Sequence, residues 1–165
     1  CHSVPFMPGA EYGAAKCGCQ GYFAELARRL IGEGKQVWIF GSDKDAPIAK
    51  EIENQVTVNG LHILAGRTRL EDVNDLAALC EKVVKNDSGL MHVSAALKVP
   101  TVAIFGSTDH IATGPYSENA SIVRIELDCS PCLETHCPKK HFRCMEDIEV
   151  DDVVHAVYAH LKKVG

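Results

Sequence analysis

Apolar and polar positions follow two rhythms along this chain. Short apolar runs stop at glycine or proline: Val4-Pro5-Phe6-Met7 at Pro8-Gly9, Gln36 to Phe40 at Gly41-Ser42, Leu61 to Leu64 at Ala65-Gly66, and Thr101 to Phe105 at Gly106-Ser107. Each reads as a buried strand that ends in a turn. Val83-Val84 is a briefer strand that runs into Asn86-Asp87-Ser88-Gly89, and Ser121 to Leu127 reads as one more. Between the runs the spacing becomes helical. Phe23, Leu26, Ala27, Leu30 and Ile31 share one face before Gly32 and Gly34, and Pro47 opens a short helix through about Ile52. Leu70, Val73, Ala77 and Cys80 mark another face. A helix follows over Leu90 to Leu97, and Val153, Val154, Val157 and Leu161 line a terminal helix over 150–164.

Strands alternating with helices predict βαβ units. The fold class is α/β: a Rossmann-like parallel sheet with helices on both faces, formed by residues 1–165 as a single unit. In such sheets ligands bind beyond the carboxyl ends of the strands. Five loops begin at that edge, at Pro8-Gly9, Gly41-Ser42, Gly66, Asn86 to Gly89 and Gly106-Ser107, and each holds a glycine.

Composition narrows the classes. Of 165 residues 46% are hydrophobic and 24% charged, the balance of a chain with one buried core. No apolar run approaches the ~20 residues that cross a bilayer, so the sequence predicts a soluble protein, and cysteines that form no framework around a regular α/β core point to a reducing cytoplasm. Net charge is −5 without a basic block, which argues against a nucleic-acid partner. The chain begins with Cys1 and shows no leader, so it reads as a fragment or a processed product.

The chemistry concentrates in Asn86-Asp87-Ser88-Gly89-Leu90-Met91-His92. Asp87 or Ser88 is a natural helix N-cap, and the first-turn amides can receive a diphosphate. His92 returns to the helix face of Ser88 and can donate to a phosphate oxygen; a capped helix with a satisfied histidine is the competing reading. Lys16 is a candidate phosphate-neutralising cation or a solvated lysine, and Asp43 is placed to accept from ribose hydroxyls or to stand in solvent. No G-x-G-x-x-G follows a strand and no P-loop occurs. There is no G-x-S-x-G elbow and no H-E-x-x-H helix, so an autonomous hydrolase is not indicated.

Eight cysteines do not form a disulfide framework. Cys129, Cys132, Cys137 and Cys144 cluster with His136 and His141, Cys17 and Cys19 flank Gly18, and Cys1 and Cys80 stand alone. Four close thiolates could hold a structural zinc, although the second Cys-x2-Cys pair of a finger is missing. Unpaired thiols are the competing reading, and a reducing compartment ranks disulfides below both. No other cofactor is indicated.

The run Pro8-Gly9-Ala10-Glu11-Tyr12-Gly13-Ala14-Ala15-Lys16, then Phe40-Gly41-Ser42, then the block from Asn86 to Leu97, resembles the ADP-heptose:lipopolysaccharide heptosyltransferases, in particular their type II branch. Cys129-Ser130-Pro131-Cys132, Cys137-Pro138 and His141 to Cys144 are also similar to that branch. The resemblance implies the C-terminal, donor-binding lobe of a two-lobed GT-B glycosyltransferase, without the N-terminal acceptor lobe. It implies that Lys16 meets the donor phosphates and that Ser42 and Asp43 line the donor site, with Asp43 at the ribose. Ser88, Gly89 and His92 would cradle the diphosphate, with Asp87 beside it or the heptose.

The implied partners are ADP-heptose, the acceptor lobe and, through that lobe, the lipopolysaccharide core at the inner face of the cytoplasmic membrane. The general base would belong to the acceptor lobe, so the isolated lobe is expected to bind the donor without turnover. Where relatives carry a basic residue, Trp and Pro after the lysine, this chain has Cys17-Gly18-Cys19. Three other readings stay open: another GT-B nucleotide-sugar lobe, a non-catalytic nucleotide-binding or zinc-stabilised module, and a redox protein using Cys17 and Cys19.

Overall fold

The computed structural model describes residues 2–9, 20–86, 99–109, 111, 119–134 and 136–159. Six strands form one parallel sheet: β1 (Ser3–Met7), β2 (Gln36–Ile39), β3 (Leu61–Ile63), β4 (Val83–Asn86), β5 (Thr101–Ile104) and β6 (Ala120–Val123). Their order is β3-β2-β1-β4-β5-β6. The chain therefore winds outward in one direction from β1 to β3, then crosses back beside β1 and winds the other way. The point of reversal lies between β1 and β4, which pair Phe6 with Val84 and Met7 with Lys85. This is the doubly wound Rossmann order, in which the crevice at the reversal is the ligand position.

The helices are α1 (Gln20–Gly32), α2 (Ala46–Gln55), α3 (Leu70–Ala78), α4 (Arg143–Glu146) and α5 (Val150–Ala159), with a one-turn 3-10 helix at Asp43–Asp45 before α2. Strand side chains alternate between faces, and the core divides accordingly. Val4, Phe6, Val37, Ile39, Val84, Val102 and Ile104 pack with Phe23, Leu26 and Leu30 of α1, Ile52 of α2, and Val153 and Val157 of α5. Met7, Phe40 and Val83 turn to the other face and meet Val73 and Ala77 of α3. Central strands buried on both sides explain why their sequences are apolar runs without alternation.

Both the fold class and the apolar periodicities hold in the structure, with four differences at element ends. α2 continues past Ile52 to Gln55, because Val56 is the first residue with extended backbone. Leu70, expected on the buried face of α3, is 52% exposed, since it opens the helix beyond the sheet. Cys80 is buried but lies just past the end of α3, where its N–H donates to the Ala77 carbonyl in a turn. β6 stops at Val123, opposite the last residue of β5, and residues 124–127 leave the sheet. The short helix α4 carries no long apolar pattern and was not legible. The helix expected over Leu90 to Leu97, and the end of the terminal helix after Ala159, lie outside the described residues.

Candidate functional site

Parallel pairing sends all six strands toward one edge, so the loops after β1, β2, β3, β4 and β5 gather there. Asn86, buried at the end of β4, donates its side-chain N–H to the Pro8 carbonyl after β1 at 3.3 Å. That bond crosses the reversal point and ties together the starts of two loops. The first leads toward Lys16, the second into Asp87, Ser88, Gly89 and His92. These five residues lie outside the described residues. The described structure brings the chain to the mouths of their loops on either side of the crevice.

The loop after β2 is held from within. The Asp45 carboxylate accepts both the backbone N–H and the hydroxyl of Ser42, each at 2.8 Å, while the Asp45 N–H donates to the Ser42 carbonyl at 3.0 Å. The same carboxylate packs against two glycines of the edge. A Cβ on Gly9 would come within 2.6 Å of Asp45 Oδ1, and one on Gly41 within 2.7 Å of Asp45 Cβ. Asp45 thus fastens the loops after β1 and β2 side by side. Sequence reasoning passed over it; the Ser-x-x-Asp spacing of a capping turn was the available signal.

Ser42 and Asp43 stand exposed at this edge, next to one another. Asp43 packs on the following loop: a Cβ on Gly66 would lie 2.8 Å from Asp43 Oδ1, and Gly66 sits at φ +71°, where a side chain is strained. The Gly66 N–H donates to the Gly41 carbonyl at 3.0 Å and holds the loop after β3 against that after β2.

Sequence reasoning also passed over two lysines of the central region. Lys85, in β4 between Met7 and Ala103, is wholly buried. Lys82 is 1% exposed, donates to the Ala156 carbonyl of α5 at 2.7 Å, and has its pKa pulled down to about 8 by burial.

The cysteine segment closes the edge beyond β5. The Ser130 hydroxyl donates to the Gly106 carbonyl at 2.6 Å, and the Leu133 N–H donates to the Ser107 carbonyl at 2.7 Å. A Cβ on Gly106 would lie 2.8 Å from Met145 Cγ and 3.4 Å from Cys144 Sγ. Cys129, Cys132, Cys137 and Cys144 are half-buried free thiols around one small cavity of about 20 Å³, shared with Ser107, Lys139, His141 and Phe142. The backbone N–H groups from Lys139 to Phe142, that of Phe142 foremost, pull the Cys137 pKa down. Burial, then the thiols of Cys132, Cys137 and Cys129, push Cys144 up. Among the described residues, no three His, Cys, Asp or Glu side chains stand close enough together to form a ready ion-binding set.

A second hollow, of about 570 Å³, lies open between Tyr22 and Arg29 of α1 and the chain from Glu146 to Asp151. Four carboxylates line it, and its arginine pairs with Asp151 at 2.8 Å. Such a lining repels a diphosphate.

The family model of glycosyltransferase family 9 (heptosyltransferase) matches residues 2–143. The chain belongs to this family. Lipooligosaccharide heptosyltransferase 2 of Campylobacter jejuni is 36% identical over 151 residues, covering 89% of this chain and 47% of the relative. Lipopolysaccharide heptosyltransferase 2 of Escherichia coli K12 is 44% identical over 128 residues, covering 74% of this chain and 36% of the relative. The solved ADP-heptose lps heptosyltransferase II of E. coli superposes with a TM-score of 0.82 at 36% identity, over 98% of this chain and 46% of that one. The chain spans about half the length, or less, of these family 9 relatives. Among its described residues no helix is long and apolar enough to cross a membrane.

Proposed function

We propose that this chain is the donor-binding half of a heptosyltransferase that transfers heptose from ADP-heptose to the inner core of lipopolysaccharide. The observation that carries the reading is the bond between Asn86 and Pro8 across the β1–β4 reversal. It ties the carboxyl end of β1 to that of β4, and from these two ends the chain runs on toward Lys16 and toward Asp87, Ser88, Gly89 and His92. The E. coli structure that superposes on 98% of the chain is an ADP-heptose enzyme by its description, which supports the same reading.

In this reading the adenosine diphosphate lies across the crevice. Lys16 offsets phosphate charge, the amides at Ser88 and Gly89 donate to the diphosphate, and the His92 imidazole N–H donates to a phosphate oxygen. Ser42 and Asp43 face the ribose, on a loop that Asp45 keeps rigid. Asp87 stands by the diphosphate or the sugar. During transfer the bond from the anomeric carbon to the phosphate oxygen breaks while the acceptor hydroxyl bonds to that carbon. Negative charge grows on the departing ADP, where a cation, amides and an imidazole stabilise it. The proton of the acceptor hydroxyl goes to a base in the other half of the enzyme, so this half binds the donor and does not turn it over. The full enzyme works in the cytoplasm beside the membrane that displays its acceptor.

Calorimetric titration with ADP, UDP and NAD tests the reading. ADP should bind in preference to the other two, and His92→Ala should weaken it roughly tenfold, the loss of about one phosphate hydrogen bond. Preference for UDP would indicate a different nucleotide-sugar lobe. Binding of none by the folded chain would remove the site assignment.

A further inference from the structure

The thiol cavity beyond β5 is lined by none of the groups that the proposed reading gives to the donor. Four free cysteines, Cys129, Cys132, Cys137 and Cys144, line its space of about 20 Å³. That volume admits one water-sized body. Three further features concern the cavity's lining.

The first is the turn after Cys137. The Lys140 N–H donates to the Cys137 carbonyl at 3.1 Å, and Lys140 takes the left-handed conformation at φ 55°. The turn so formed folds the chain from Lys139 to Phe142 back beside Cys137, so that Lys139, His141 and Phe142 line the cavity together with it.

The second is His141. Its Nδ1 accepts the Arg143 N–H at 3.1 Å, so the neutral ring carries its proton on Nε2, which faces Cys129 Sγ at 3.8 Å. The imidazole is thereby fixed as a donor to a second sulfur and is not free to act as a ligand by Nε2. The third is Ser107, whose buried hydroxyl lines the cavity without a hydrogen-bond partner. A hydroxyl in that position has a use once negative charge enters the cavity.

We infer that Cys129, Cys132, Cys137 and Cys144 form a tetrahedral thiolate site for one divalent metal ion of the zinc class. The sulfurs surround the cavity without closing on its centre, so uptake brings them in to the roughly 2.3 Å of a zinc–sulfur bond. The ion displaces the thiol protons to solvent, and the reaction involves no change of oxidation state. Four thiolates leave the filled site with excess negative charge, which His141 Nε2–H and the Ser107 hydroxyl are placed to offset. Because the segment already hangs on Gly106 and Ser107, the ion would lock it against the ligand edge of the sheet.

The test is a titration of the reduced whole chain with Co²⁺, followed by displacement with Zn²⁺. One Co²⁺ per chain should bind with the absorption of a tetrahedral thiolate complex, and one Zn²⁺ should abolish it. The double variant Cys129→Ser, Cys132→Ser should lose that absorption, while Cys80→Ser should keep it. His141→Ala should retain the stoichiometry with affinity lower by about 10–100-fold, as for groups that orient metal ligands. In unaltered chain, Zn²⁺ should protect the four cysteines from alkylation and leave Cys80 unaffected. A folded, reduced chain that binds no Co²⁺, an absorption that survives the double variant, or alkylation indifferent to Zn²⁺ would each overturn the site.

Discussion

The carboxylate of Asp45 accepts the Ser42 hydroxyl and the Ser42 N–H on the same oxygen, Oδ2, each at 2.8 Å. Ser42 therefore keeps acceptor lone pairs for a ligand, while its hydroxyl proton is committed inward. The pair sits between Gly9 and Gly41, so the shape of two loops at the candidate site depends on one side chain.

Asp45→Ala removes a charged acceptor shared by two donors at a partly exposed position. Stability should fall by about 1–2 kcal/mol, measured by urea unfolding. ADP affinity should fall roughly tenfold in calorimetry, because Ser42 and Asp43 lose their fixed position. Asp45→Asn keeps an acceptor oxygen and should lose less on both measures. Unchanged ADP affinity in a destabilised Asp45→Ala would separate this loop from the binding site.

Asn86→Ala breaks the tie across the reversal point and leaves the Pro8 carbonyl without the Asn86 donor in a buried place. A cost of about 1–3 kcal/mol is expected. Hydrogen exchange should show the added opening at the ends of β1 and β4 before it reaches β3. Exchange that rises uniformly over the sheet would mean that the bond supports global stability alone.

Lys82 carries the clearest pH signature. Its folded pKa, about 8, lies below the ordinary 10.5 because burial disfavours the ammonium. The unfolded chain then binds more protons between those values, so stability should rise as pH climbs from about 8. Three groups oppose it at higher pH. Burial raises Cys80 from 9.0 to about 11, burial with the neighbouring thiols raises Cys144 above 9.0, and burial with Glu33 raises Tyr158 from 10.0 to about 12. Each contributes stability that is lost as pH rises through its window.

Between pH 8 and 9 the unaltered chain should therefore gain stability, and Lys82→Met should show a shallower rise, the remainder coming from Cys137, whose thiol is pulled below its ordinary 9.0. At pH 7 the variant should be the more stable by on the order of 1–2 kcal/mol, the relieved desolvation less the lost bond to Ala156. Chemical denaturation at four pH values decides this.

Ser107→Ala should run against the usual direction of core substitutions. Its hydroxyl is buried without a partner in the metal-free chain, so its removal should be neutral or stabilising by up to about 1 kcal/mol. Ser130→Ala, two positions before Cys132, should instead cost about 1 kcal/mol through the bond to Gly106. Thermal unfolding of the pair distinguishes a structural hydroxyl from an idle one.

Part of the carboxyl edge was legible before the fold. Asp43 was singled out by its place after the glycine-ended run of β2, and the structure puts it, with Ser42, at the carboxyl edge. Asp45 was missed because its role depends on Gly9, which is distant in sequence and adjacent only once β1 pairs with β2. Lys85 was missed for a similar reason: one lysine after Val83-Val84 reads as a strand end, and only strands on both sides make it buried. Leu70 failed in the other direction, since periodicity marks a face and does not say where a helix overhangs its sheet.

The sequence alone determined the alternation of strand and helix and the glycine in the loops after five of the six strands. It did so because burial period and turn chemistry are local properties of a few neighbouring residues. Only the tertiary structure decided that β4 returns beside β1, that Asn86 reaches Pro8, and that the segment bearing Cys129 to Cys144 folds back on Gly106 and Ser107. Those outcomes join residues up to 78 positions apart. They are settled by the packing of whole strands and helices, whose non-local contacts no short window of sequence contains.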